Sequence, residues 1–197
     1  KSNLGKELTL PLLPLKGDFQ YNHAAAALQA LELIEPAILE NTELLENGIT
    51  NISLMGRYQT ISSNPEIVID VAHNADSAEK LMDNLNKESK KNTIAVIGVL
   101  KDKDVYSLIK PMISNVDKWY CGTINSDRGM NSEEIKIRMS SAINQKNIKT
   151  FDSIDEACSQ AMASLGENDR LVVYGSFYTV SEFLDYYELI NKHKDII

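Results

Sequence analysis

The chain has 197 residues, 43% of them hydrophobic and 24% charged. That is enough apolar surface for one good core plus an appendage, and it argues against disorder across its length. A formal charge of −8 with dispersed Lys and Arg lacks the basic footprint that a nucleic-acid backbone demands, and no apolar stretch approaches the roughly 18 residues of a bilayer span, so neither nucleic acid nor membrane is an expected partner.

The sequence begins Lys1-Ser2-Asn3-Leu4-Gly5, without an initiator Met and without a leader's apolar run. A cytoplasmic piece of something larger is the simpler expectation. Thr9-Leu10-Pro11-Leu12-Leu13-Pro14-Leu15 reads as an extended edge segment, because each Pro removes a ladder donor and disfavours helix before it. Gly17-Asp18-Phe19-Gln20-Tyr21-Asn22-His23 then runs into an Ala-rich helix predicted at Ala24–Ile34. Asn22 is either that helix's N-cap or a ligand-binding amide, and the two roles are compatible. A second helical piece is predicted at Pro36–Leu45, followed by a linker at Glu46–Asn51. One extended segment and two helices bury too little apolar area for a core of their own. Residues 1–48 are therefore expected to be the end of a preceding domain, and 49–197 a domain in their own right.

From Ile67 onward, short β-rich runs alternate with amphipathic stretches, the pattern of a parallel sheet covered by helices. Strands are predicted at Glu66–Val71, Thr93–Val99, Lys118–Thr123, Ile148–Phe151 and Arg170–Tyr174. The helices that follow them are predicted at Asn74–Asn86, Val105–Ile113, Ser132–Ile143, Ile154–Leu165 and Tyr178–Asn191. Asn131-Ser132-Glu133-Glu134 and Asp152-Ser153-Ile154-Asp155-Glu156 look like helix starts, with capping oxygens and acids near free N–H groups and the positive dipole end. Cys121 and Cys158 lack the spacing of zinc or redox sites and read as reduced packing residues.

Polar chemistry gathers where apolar runs end. Ile67-Val68-Ile69 stops in Asp70-Val71-Ala72-His73-Asn74, which is how a buried strand delivers side chains to the carboxyl end where α/β sheets bind ligands. Asp70 is a ligand-facing carboxylate or a cap for the next helix. His73, at that helix's N-terminal end, is placed to meet an anion, or is structural. Arg57, beside Gly56, has a planar, permanently charged fork suited to two phosphate oxygens; otherwise it is a surface arginine. Lys103, in Leu100-Lys101-Asp102-Lys103-Asp104, lies in a charge run that ends an apolar strand just before a helix, and Arg128 in Asp127-Arg128-Gly129, after the third strand, is a weaker substrate or interdomain candidate. In Tyr174-Gly175-Ser176-Phe177-Tyr178, Gly175 allows close backbone approach and Ser176 is either a carboxylate donor or a cap. No Gly-x-x-x-x-Gly-Lys-Ser/Thr loop, no Gly-x-Gly-x-x-Gly and no Gly-x-Ser-x-Gly elbow occurs, so the chain has no phosphate cradle of its own, no dinucleotide fingerprint and no hydrolase nucleophile.

Five of these segments, Gly17…Asn22, Gly56-Arg57, Asp70-x-x-His73-Asn74, Asp102-Lys103-Asp104 and Gly175-Ser176-x-Tyr178, resemble in order the C-terminal half of the folylpolyglutamate synthase/dihydrofolate synthase branch of the Mur ligase superfamily. Phe19 stands where that family usually has His, and Val71 and Ala75 where Gly and Pro are common. The resemblance implies an α/β, Rossmann-like, mostly parallel sheet with helices on both faces, preceded by the tail of a central ATPase domain. It implies ATP-dependent addition of L-glutamate to dihydropteroate or reduced folates through an acyl phosphate. Asn22, Arg57 and Asp70 would contact ATP. His73 would act near the transferred phosphate, and His73, Lys103 and Ser176 near glutamate. The magnesium ligands would lie in the absent N-terminal ATPase domain, leaving no metal ligand in this chain, and the whole would be a monomer inactive without that half. Two rivals stay open: a Mur-type ligase acting on a cell-wall precursor, and a non-catalytic ligand-binding domain.

Overall fold

The computed structural model describes residues 7–194, so Lys1–Gly5 lie outside the described residues. Two compact units divide between Met55 and Gly56.

In the first unit, helix α1 spans Phe19–Ile34, a 3₁₀ turn covers Pro36–Glu40 and helix α2 spans Thr42–Thr50. Helix α1 starts earlier than its Ala run predicts, at a turn in which Gln20 N–H donates to the Gly17 carbonyl. Asn22 is thus inside the helix and exposed, and does not cap it. The expected linker at Glu46–Asn51 is instead largely helical. Asn41 accepts the Leu44 N–H as N-cap of α2, and good local capping carries the helix through Gly48, moving the boundary expected at 48/49 to Met55/Gly56. Thr9–Leu15 forms no strand. Helix α1 buries Gln20 and Glu32 but leaves Leu33 and Ile34 each 79% exposed, so this unit has little core of its own.

The second unit is built on a six-stranded sheet. Its strands are β1 (Gln59–Ser63), β2 (Glu66–Ile69), β3 (Thr93–Ile97), β4 (Lys118–Gly122), β5 (Ile148–Phe151) and β6 (Arg170–Tyr174), in the order β1-β2-β6-β3-β4-β5. All neighbours are parallel except the β1–β2 hairpin. Strand β1 was not expected from Gln59-Thr60-Ile61-Ser62-Ser63, a mostly polar run, because an edge strand needs only its inner side to be apolar.

Helices α3 (Ala75–Asn86), α4 (Val105–Ile109) and α5 (Ser132–Met139) follow β2, β3 and β4; α6 (Ile154–Ala163) follows β5 and α7 (Phe177–Lys194) follows β6. Side chains alternate across the strands. Val68, Ala95, Ile97, Trp119, Cys121 and Val172 pack with α3, α4 and α5, whereas Ile67, Ile69, Ile94, Val96, Tyr120, Leu171 and Val173 pack with α6 and α7. Right-handed crossovers require this division. The chain moves one way along the sheet from β2 to β5 with its helices on one face, then returns to β6 with α6 on the other.

Both cysteines are free and buried, Cys121 against the Met139 sulfur at 3.6 Å. Burial pushes the Cys121 thiol up to about 12, the behaviour of a packing residue. No helix among the described residues is long and apolar enough to cross a membrane.

Candidate functional site

The returning strand β6 lies between β2 and β3. The helices leaving β2 and β3 go to one face and the helix leaving β6 to the other, so the carboxyl ends of these three strands bound a crevice, where open α/β sheets place ligands. His73, Leu100, Lys103, Arg128, Ser176, Phe177 and Tyr178 line a cavity of about 220 Å³ there. That is below the roughly 300–1,000 Å³ of pockets for drug-sized ligands, and suits an amino acid better than a whole nucleotide. A larger cleft of about 930 Å³ beyond β4 and β5 contains none of the expected site residues.

Arg57 sits in a tight turn between two left-handed residues, Gly56 at φ +68° and Tyr58 at φ +42°. A non-glycine residue in that region is strained, and persists only where its surroundings over-determine it. Tyr58 is 5% exposed with its ring in the core. Its N–H donates to Asp70 Oδ2 at 2.8 Å, while Asp70 Oδ1 accepts the Ala72 N–H at 2.7 Å. Gly56 is held twice more: its carbonyl accepts the Val71 N–H at 2.8 Å and its N–H donates to Gln59 Oε1 at 3.0 Å. Asp70 is therefore a clasp between strand tip and turn, and the helix cap is Asn74, which accepts the Ser77 N–H in a capping box. Burial pushes the Asp70 carboxyl up, against the two N–H bonds and the charges of Arg57 and His73.

His73 is oriented by its backbone and ring together. Its N–H donates to Ser77 Oγ at 3.1 Å, and Nδ1 lies 2.9 Å from the Val71 carbonyl. A carbonyl only accepts, so Nδ1 carries the proton and, in the neutral ring, Nε2 keeps its lone pair.

Lys103 and Arg128 reach the same pocket from two loops. Lys101 N–H donates to the Arg128 carbonyl at 2.9 Å, and Met130 N–H to the Val99 carbonyl at 2.9 Å. Asp102 lies between the cations, with Lys103 Nζ at 3.0 Å and Arg128 Nη2 at 3.4 Å. The hydrogen bond from Lys103 holds its carboxyl below the usual range. Two cations sharing one carboxylate leave positive charge for an anionic ligand. Sequence reasoning gave Asp102 no role of its own within Asp102-Lys103-Asp104, because an acid among lysines looks like solvated surface.

Ser176 is 2% exposed. Its Oγ accepts the Thr179 N–H at 3.0 Å and lies 2.8 Å from Thr179 Oγ1, which itself donates to the Gly98 carbonyl at 2.9 Å. Thr179's proton is spent on that carbonyl, so the Ser176 hydroxyl donates to Thr179. The expected donation from Ser176 to a ligand carboxylate is replaced by a cap that fixes the start of α7 and ties it to the end of β3. Thr179, fully buried, was also missed; Ser-x-x-Thr is the only local signal for it.

Thus the cavity gathers His73, Lys103, Arg128 and Ser176; Arg57 rests on the Phe177 ring that lines it, Asp70 clasps the Arg57 turn, and Asn22 belongs to the first unit. The domain model described as "Mur ligase, glutamate ligase domain" matches residues 56–177. The dihydrofolate synthase/folylpolyglutamate synthase of Escherichia coli K12 is 35% identical over 181 residues, 91% of this chain and 40% of the relative. The structure of E. coli FolC in complex with DHPP and ADP superposes with a TM-score of 0.80 at 30% identity, covering 97% of this chain and 44% of that one. A bifunctional folylpolyglutamate synthase/dihydrofolate synthase solved with Mn, AMPPNP and L-glutamate bound gives a TM-score of 0.74 at 27% identity, covering 93% and 43%. The chain spans less than half the length of these relatives. It belongs to the Mur ligase family and carries that family's glutamate ligase domain.

Proposed function

We propose that the chain is the C-terminal part of a cytoplasmic, monomeric folylpolyglutamate synthase/dihydrofolate synthase, which joins L-glutamate to dihydropteroate and reduced folates at the expense of ATP. The observation that carries this is the convergence of His73, Lys103 and Arg128 on one amino-acid-sized cavity beside the clasped Arg57 turn. Support also comes from the nucleotide, DHPP and L-glutamate held by the structural relatives.

In the reaction, a carboxylate oxygen of the pterin substrate attacks the γ-phosphorus of ATP and ADP departs, giving an acyl phosphate. The amine of L-glutamate then attacks the carbonyl carbon, and phosphate leaves. Such catalysis rests on positioning and charge neutralisation. Arg57 offers its fork to phosphate oxygens, and Asp70 holds the turn that aims it. His73 Nε2 takes the proton shed by the glutamate amine as the C–N bond forms. Lys103 and Arg128 take a glutamate carboxylate, against a wall shaped by the Ser176 cap. Asn22, exposed on α1, presents paired donor and acceptor atoms to adenine.

Mn accompanies the nucleotide in a relative, and magnesium is expected in the reaction. Among the described residues no group of three or more His, Cys, Asp or Glu could hold a metal ion. Its ligands, like the phosphate cradle, are assigned to the ATPase portion. The first unit, poor in core, fits the end of that portion.

The full-length protein should incorporate radiolabelled L-glutamate into dihydropteroate or tetrahydrofolate with release of phosphate. Incorporation only into a UDP-linked muropeptide, or none into any acceptor, overturns the proposal.

A further inference from the structure

The Arg57 guanidinium has no hydrogen bond or ion pair among the described residues. What it does have is an aromatic face: its Cζ lies 5.5 Å from the centroid of the Phe177 ring. The same ring is 6.3 Å from the His73 ring, tilted by 43°, and it lines the cavity with His73 and Lys103. Phe177 is 58% exposed; single exposed apolar side chains are ordinary, and what sets this one apart is that Arg57 and His73 both meet its ring. Its backbone is not free to drift. It is the first residue of α7, directly after the buried Ser176 cap and after Gly175, whose N–H is held by the Ala72 carbonyl at 3.0 Å.

We infer that Phe177 is a positioning residue for the ligase reaction, a platform that holds the Arg57 guanidinium beside His73 while leaving its N–H donors unspent. A carboxylate partner would fix Arg57 as well, but would occupy the fork that a phosphate must enter. A ring attracts the cation through its face and takes no N–H in exchange. The two functional side chains, delivered from the turn before β1 and the tip of β2, are thereby indexed to a third element, the start of α7. The inference rests on the proposed role of Arg57 in binding phosphate.

The test uses the full-length enzyme with four single variants at positions 177 and 57 and one double variant. Phe177→Ala and Phe177→Leu should each lower kcat/KM for ATP five- to tenfold, while Phe177→Trp returns it to within twofold of the parent. Leu keeps bulk and apolarity but has no π-face, so its failure separates platform from packing. In an Arg57→Ala background, Phe177→Ala should change kcat/KM by less than twofold, because nothing remains for the ring to hold. Full activity in Phe177→Leu, or an undiminished effect in the Arg57→Ala background, overturns the inference. If Arg57→Ala alone is silent, it is the phosphate-binding role that fails instead. Thermal melts of all variants show whether each is folded, and Trp and Leu decide the matter if Ala is not.

Discussion

The Asp70 carboxylate holds the backbone N–H of Tyr58, twelve residues earlier in the chain, at 2.8 Å. The strand tip that presents His73 therefore also fixes the turn that presents Arg57. Asp70→Asn tests this clasp with little change in volume. An Asn has one oxygen where Asp70 uses both, so either Tyr58 N–H or Ala72 N–H would face an NH₂ donor. Loss of one such partly buried bond costs about 1–3 kcal/mol. Urea denaturation should show that loss, and kcat in the full-length enzyme should fall at least roughly tenfold, about 1.4 kcal/mol of transition-state stabilisation. Unchanged kinetics in a destabilised protein would reduce Asp70 to a structural device.

Arg57 should behave in the opposite way, costing activity and not stability. Its side chain is exposed and rests on the Phe177 ring. Arg57→Ala is expected to leave the denaturation midpoint nearly unchanged and to lower kcat at least about tenfold. Arg57→Lys should recover little, because a point charge replaces a fork. A Lys variant as active as the parent would mean that bidentate geometry is not used.

The parallel sheet, its helix alternation and the cluster at the tip of β2 were legible because burial imposes the pattern: Ile67-Val68-Ile69 and Leu171-Val172-Val173 have protein on both faces and must be apolar throughout. Capping chemistry was legible at Asn131 and Ser153 for the same local reason. What escaped depends on partners distant in sequence. Strand β1 exists because β2 lies beside it, and Asp102 matters because Arg128 arrives from another loop. Asn22 looked like a cap because helix α1 starts at a turn set by Gly17, not at the first Ala. The choice between cap and ligand for Asp70 and Ser176 required coordinates, since both readings share one sequence signature.

Gly175 leaves no room for a side chain at the turn between β6 and α7. Its φ is +116°, and a Cβ there would lie 2.4 Å from the Gly98 carbonyl oxygen. Backbone cannot step aside as a flexible side chain can. Gly175→Ala combines a forbidden dihedral with a clash at the junction of β6, β3 and α7, and a loss of at least about 3 kcal/mol is expected. Chemical denaturation would read it. If the variant is as stable as the parent, the turn between β6 and α7 must be adaptable, and the tight registration of Ser176 and Phe177 with it.

Acid should separate activity from stability, because two carboxylates titrate in opposite senses. Glu66 resists the rise that burial alone would bring, because hydrogen bonds from Lys91 and Arg170 hold its carboxyl low; Arg170 Nε is 2.9 Å away on the neighbouring strand. A carboxyl lower in the native than in the unfolded state stabilises above the ordinary carboxylate range, and that contribution disappears as pH falls through its lowered pKa. Asp70 is raised by burial. It therefore takes up its proton in the native protein first, and between its raised pKa and the unfolded value acidification favours the fold at this site. Activity has no such benefit, since a protonated Asp70 gives up the charge beside Arg57 and one of its two N–H bonds. Ligation in the full-length enzyme should thus fall on acidification before the midpoint of unfolding moves, with the acid limb at a pH above the usual Asp range. In Asp70→Asn, residual activity should lose that limb, while Glu66→Gln should keep it and lose about 2 kcal/mol of stability at neutral pH. An acid limb that persists unchanged in Asp70→Asn would show that Asp70 is not the group that titrates.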